Sequence, residues 1–104
     1  VEKLNKIIDA LEGLKVKDLK VYDFEKASPF YDYFVICTTN ERQGSAAINH
    51  LKKALEADEI RHIEGKGGSW VLIDCHEVIV HLFSEDDRAF YGFDRRLLDI
   101  KRIR

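Results

Sequence analysis

The sequence predicts a single α/β domain in which five strands form a sheet flanked by helices. Three observations carry that prediction. Apolar residues recur at helical spacing in two long stretches, short runs rich in β-branched and aromatic residues lie between them, and glycine, proline and serine mark the boundaries. At 104 residues the chain has the size of one domain, long enough to bury one core and too short for two.

Each element has its own signal. Leu4, Ile7, Ile8, Leu11 and Leu14 recur three or four residues apart, which predicts a first helix with Gly13 as its stop, because glycine enters a left-handed cap without steric cost. Val16 to Phe24 reads as a first strand, broken after Ala27-Ser28 by Pro29, which cannot donate to a ladder. Asp32 to Thr39 shows little alternation and reads as an interior strand covered on both faces. Thr39 or Asn40 can cap the helix that follows, whose inner face is Ala46, Ala47, Ile48, Leu51, Ala54 and Leu55, and which should end near Ala57. A short strand is expected around Arg61 to Glu64, then a turn over Gly65-Lys66-Gly67-Gly68. Trp70 to Asp74 and Glu77 to Phe83 read as a hairpin joined by Cys75-His76. Ser84 caps a last helix whose first turn, Glu85-Asp86-Asp87, suits the positive end of the helix dipole. Phe90, Tyr91 and Phe93 lie on or just past it, and Leu97 and Leu98 suggest a further turn.

Side chains alternate across a strand, so the hairpin sorts into two faces. Pairing Asp74 with Glu77 sets Leu72 opposite Ile79 and Trp70 opposite His81. The face with Val71, Ile73, Val78, Val80 and Leu82 is wholly apolar and should be the core. The other face mixes Trp70, Leu72 and Ile79 with Asp74, Glu77 and His81, the anatomy of a protein interface with an apolar centre and a charged rim. A tryptophan packed under a helix, its indole N–H satisfied, is the competing reading of Trp70.

Several function classes are excluded. The net charge of −2 offers no strong field for a polyanion, although Arg95, Arg96, Lys101, Arg102 and Arg104 form a basic cluster that a solvated helix face and frayed tail would also explain. No apolar run approaches the roughly 18 residues needed to cross a bilayer, and the acidic, amphipathic start is unlike a secretory leader. Val1 in place of methionine leads one to expect that the natural chain begins earlier. Cys37 and Cys75 lie in apolar surroundings without C-x-x-C spacing, as buried free thiols of a reducing compartment would, which points to the cytoplasm. His50, His62, His76 and His81 show no metal-ligand spacing. The glycine-rich turn lacks the Lys-Ser/Thr ending of a phosphate loop, and Ser45 has no nucleophile elbow. No metal, cofactor or small-molecule substrate is expected.

The stretches DYFVICTTNERQGSAAINHLKKAL (32–55) and EGKGGSWVLIDCHEVIVHLFSEDDRAFY (64–91), in this order, resemble the ribosomal silencing factor family, also called Iojap-like. The resemblance implies a non-enzymatic factor that binds the large ribosomal subunit through its fourteenth protein and so prevents subunit joining and represses translation. It implies a mixed sheet flanked by helices, related to nucleotidyltransferases without their catalytic acids, and a homodimer when free. Carried over by position, the docking residues are Trp70, Leu72, Asp74, Ile79 and His81 on the hairpin, with Phe90 and Tyr91 from the next helix. Family members often place an aromatic residue and glycine where this chain has Cys75-His76, and the likeness weakens beyond Tyr91. Two rivals stand beside it. A nucleotidyltransferase-type enzyme would need paired acids after Gly44-Ser45, and the next strand supplies no D-x-D or D-x-E. An RNA-binding module would use the basic C-terminal tail.

Overall fold

The fold is a six-stranded mixed sheet with two helices on one face and two short helices on the other, in a computed structural model that describes residues 2–104. Helix α1 (Glu2–Gly13) buries the stripe Leu4, Ile7, Ile8 and Leu11. It stops at Gly13 as expected, but the left-handed residue is Lys15, with φ 56°, after Leu14 and Lys15 close onto the carbonyls of Leu11 and Glu12. Strands β1 (Lys17–Asp23) and β2 (Tyr33–Thr38) pair antiparallel, with a bulge between Lys17 and Lys20 where Asp18 is left-handed at φ 48°.

Asn40 caps α2 (Glu41–Ala54) in a reciprocal box: its side chain accepts from the Gln43 amide at 2.8 Å while the Gln43 side chain accepts from the Asn40 amide at 3.1 Å. The helix ends at Ala54, short of the expected Ala57, because Leu55 turns extended and buries its side chain; a single 3₁₀ turn (Ala57–Glu59) follows. Then come β3 (His62–Glu64), β4 (Trp70–Cys75), β5 (Val78–Phe83), α3 (Glu85–Tyr91), α4 (Phe93–Arg96) and β6 (Lys101–Arg102). The Ser84 cap is as expected, its hydroxyl accepting from the Asp87 amide at 3.1 Å.

The strand order is β3-β4-β5-β2-β1-β6, with β2 and β5 parallel and every other neighbouring pair antiparallel. The expected count of five strands is therefore corrected to six. Strand β6 pairs Arg102 with Tyr22 and Lys101 with Asp23, so part of the basic tail is an edge strand rather than a frayed end. Two charged residues leave no periodic signal for such a strand.

The hairpin also differs in register. His76-Glu77 forms the turn, not Cys75-His76, and Cys75 pairs with Val78. His76 is left-handed at φ 68°, and its amide donates to the Asp74 carboxylate at 2.9 Å, which fixes the reversal one residue later. Trp70 therefore stands opposite Phe83, Leu72 opposite His81 and Asp74 opposite Ile79. A slip of two leaves every side chain on its expected face.

Two cores result. Helices α1 and α2 cover the face with Val71, Ile73, Val78, Val80 and Leu82, as alternation predicts. On the second face Tyr22, Ile36, Phe83 and Leu97 are buried, with Trp70, Tyr91 and Phe93 packed against them.

Candidate functional site

The second face is a grid of three rungs. One runs Trp70–Phe83–Thr38 and the next Glu64–Leu72–His81–Ile36–Lys20. The last runs His62–Asp74–Ile79–Phe34–Tyr22–Arg102. The aromatic rings of α3 and α4 pack over the first rung. Trp70 stacks on Phe83 at 5.0 Å and lies 4.6 Å from Tyr91 and 5.4 Å from Phe93.

Trp70 is half-buried in an aromatic cluster under α3 and α4, close to the packed reading of it. Its indole Nε1–H donates to His81 Nδ1 at 3.2 Å. An accepting Nδ1 places the imidazole proton on Nε2. Burial drives the His81 pKa down from 6.5 to about 4, so the ring is neutral at pH 7 and remains an acceptor. Nε2 is a buried polar side-chain atom without a hydrogen-bond partner among the described residues. The Phe34 ring stands nearly edge-on to the imidazole at 4.6 Å.

The seven residues chosen from sequence fall into distinct settings. Trp70, Leu72 and Tyr91 are half-buried and Phe90 is 79% exposed, so these four offer surface. His81 is only 3% exposed and Ile79 only 9%, so they support that surface from beneath. Asp74 accepts three bonds from the Arg61 guanidinium, at 2.9, 3.1 and 3.2 Å, besides capping the turn, which leaves Arg61 as the outer charge at this rim.

Sequence reasoning missed the other half of the face. Phe24, Tyr31 and Phe34 form a triangle with ring centroids 4.7–4.9 Å apart, half-buried beside Ile79. Their common face depends on the parallel β2–β5 pairing, which local alternation does not reveal. Arg61 carries no signal except its place in a short edge strand.

A buried arginine holds the α3–α4 corner against the sheet. Arg88 donates to the Asp18 carbonyl at 2.6 Å and to the Thr38 hydroxyl at 3.0 Å, and forks onto Asp94 with two bonds of 3.1 Å. The bulge at Asp18 presents that carbonyl. Lys20 reaches the same carboxylate at 3.0 Å. The Arg88 bonds, with Lys20 adding to them, hold the Asp94 carboxyl at about 2. This pin fixes where Tyr91 and Phe93 sit over Trp70.

No group of three or more His, Cys, Asp or Glu close enough to hold a metal occurs among the described residues. No helix is long and apolar enough to cross a membrane. Cys37 and Cys75 are buried and unpaired, with burial pushing both thiols up to about 12, where neither is a nucleophile at neutral pH. The second face thus combines an apolar centre and aromatic rings with an ionic rim at Arg61 and Asp74.

Comparison with known proteins gives a consistent picture. The family model described as "Ribosomal silencing factor during starvation" matches residues 1–103. A ribosomal silencing factor of Halalkalibacterium halodurans is 34% identical over 98 residues, spanning 90% of this chain and 84% of its own. One from Haemophilus influenzae is 34% identical over 95 residues, spanning 86% and 91%. A crystal structure of a Chromobacterium violaceum protein superposes with a TM-score of 0.82 at 30% identity, covering 90% of this chain and 82% of that one.

Proposed function

Given that this chain belongs to the ribosomal silencing factor family, whose members are non-enzymatic ribosome-binding regulators of translation, we propose that it blocks subunit joining by docking on the large subunit. The contact is made to the fourteenth large-subunit protein by the second face of the sheet. Trp70, Leu72 and Tyr91 form its centre, Ile79 and His81 support it, and Asp74 with Arg61 and exposed Phe90 form its edges. The observation that carries the reading is a sheet face whose Trp70 end is packed by α3 and α4 while Leu72 and Phe34, over buried Ile79, are left half-exposed.

Size is compatible with a steric block. A stable interface needs about 800 Å² from each partner, and a molecule measuring 32 × 31 × 22 Å offers about 1,000 Å² on its broad side. The reading also takes the protein as cytoplasmic and as a homodimer when free, a state that light scattering would register as twice the chain mass.

Calorimetric titration against the isolated fourteenth large-subunit protein tests the contact. Trp70→Ala is expected to weaken it by about 2–4 kcal/mol, the range of a hot-spot truncation. Because Trp70 also belongs to a core cluster, Leu72→Arg serves as a second variant that places a charge on the half-open surface. Native affinity in both folded variants would refute the assigned face.

A further inference from the structure

The corner between α3 and α4 carries groups that neither core uses. Gly92, left-handed at φ 62°, ends α3 and begins α4, so the chain folds back there. The reversal gathers Phe90, Tyr91, Arg95 and Arg96 around one shallow concavity. Phe90 is 79% exposed and contributes little to the fold, yet its ring is held perpendicular to Tyr91 at 5.1 Å, and Tyr91 is anchored on Trp70. The Arg95 guanidinium lies over the glycine, so close that a Cβ on Gly92 would sit 3.3 Å from it.

Two guanidiniums stand at the same place. Arg95 and Arg96 are exposed and make no ion pair among the described residues, because Asp94 between α3 and the arginines is already held by Arg88 and Lys20. Of the five cations in the last twelve residues, only Arg95 and Arg96 line the concavity, since Lys101 and Arg102 lie on β6 and Arg104 pairs with Glu12. The opposing carboxylates are Asp99, which is exposed, and Asp86, one turn before Phe90 on α3.

An exposed ring beside two unpaired guanidiniums is the equipment for a nucleotide: the ring stacks a base, and planar guanidiniums grip a phosphate with paired N–H donors. We propose that this corner is an RNA contact, with Arg95 and Arg96 on the backbone phosphates and an unpaired base stacked on Phe90. The choice of RNA rests on the ribosomal reading, since the docking target is itself largely RNA. On that reading the chain grips protein with its sheet face and RNA with its α3–α4 corner, which fixes its orientation as well as its affinity.

The test is fluorescence polarisation of the full chain with a labelled single-stranded RNA dodecamer of mixed sequence at two salt concentrations. Two phosphate contacts predict a loss of about sevenfold in affinity when salt rises fourfold. Arg95→Glu with Arg96→Glu should abolish binding, whereas Phe90→Leu, which stays apolar but cannot stack, should weaken it about tenfold with the salt dependence unchanged. These side chains are exposed, so the variants should keep the native melting temperature. No binding by the native chain, or native binding by the double arginine variant, overturns the proposal. Titrating the double arginine variant, whose residues lie outside the assigned protein face, against the isolated fourteenth protein separates the two claims. Unchanged protein affinity with lost RNA affinity supports the corner as a distinct site. Loss of both assigns it to the protein interface and overturns the RNA contact.

Discussion

Lowering the pH from 7 to 5 should destabilise this protein through one residue, His81. Buried beneath Trp70, its imidazole has a pKa of about 4 in the fold against an ordinary 6.5. Between those values the unfolded chain binds a proton that the folded chain refuses. Stability is therefore fully present above pH 6.5 and is lost as the pH falls toward 4. At about 1.4 kcal/mol per pH unit the complete loss is about 3 kcal/mol, of which about 2 kcal/mol is reached at pH 5. The comparison is with His81→Gln, which keeps an acceptor near the Trp70 N–H and does not ionise, so that the difference between the two proteins reads His81 alone. Urea unfolding followed by the fluorescence of Trp70, the single tryptophan of the chain, reads both proteins. The native midpoint should fall by roughly 1 M urea more than the variant's between pH 7 and 5. Parallel curves would refute the claim that His81 is buried neutral.

Other outcomes follow from the same geometry. Arg88→Met should cost about 2–4 kcal/mol in chemical denaturation, because the Asp18 carbonyl and Thr38 hydroxyl lose a donor while Asp94 keeps only Lys20. The Asp94 carboxyl, held down chiefly by Arg88, contributes stability above its ordinary 3.8 that is lost as pH falls through about 2, and in Arg88→Met this acid sensitivity should shrink. Gly65→Ala should lower the melting temperature, by about 1–3 kcal/mol of stability, since Gly65 sits at φ +75° and a Cβ would lie 2.1 Å from the Trp70 carbonyl oxygen. Gly13→Ala, with nothing within 4 Å of the added carbon, should be neutral or stabilising by up to about 1 kcal/mol. A thiol reagent should leave Cys37 and Cys75 unmodified in the native protein and label both in denaturant.

What the sequence revealed depended on how local each signal was. The stripe from Leu4 to Leu11, the Asn40 and Ser84 caps and the two hairpin faces rest on spacings of two to four residues, and all are found in the fold. Register needed more: the left-handed His76 and its bond to Asp74 moved the turn by one residue, and only the parity of the faces survived. Long-range pairing was invisible. Nothing local says that β2 lies parallel to β5, so the Phe24–Tyr31–Phe34 triangle could not be assigned to the hairpin's face. Likewise Arg88 reads as one more surface charge in a polar helix, although its partners Asp18 and Thr38 lie 70 and 50 residues away in sequence. Parity alone could not tell depth along the candidate face: Trp70 and Leu72 reach its surface half-buried, while His81 and Ile79, chosen on the same parity, lie beneath them.

The most direct test of the proposed role is to mix purified large and small ribosomal subunits with this protein and resolve them on a density gradient. The account predicts that the native chain co-migrates with large subunits and depletes the joined ribosome, whereas folded Leu72→Arg does neither. Undiminished joining with the native chain bound would contradict the steric block, and depletion by Leu72→Arg equal to native would contradict the face assigned to it.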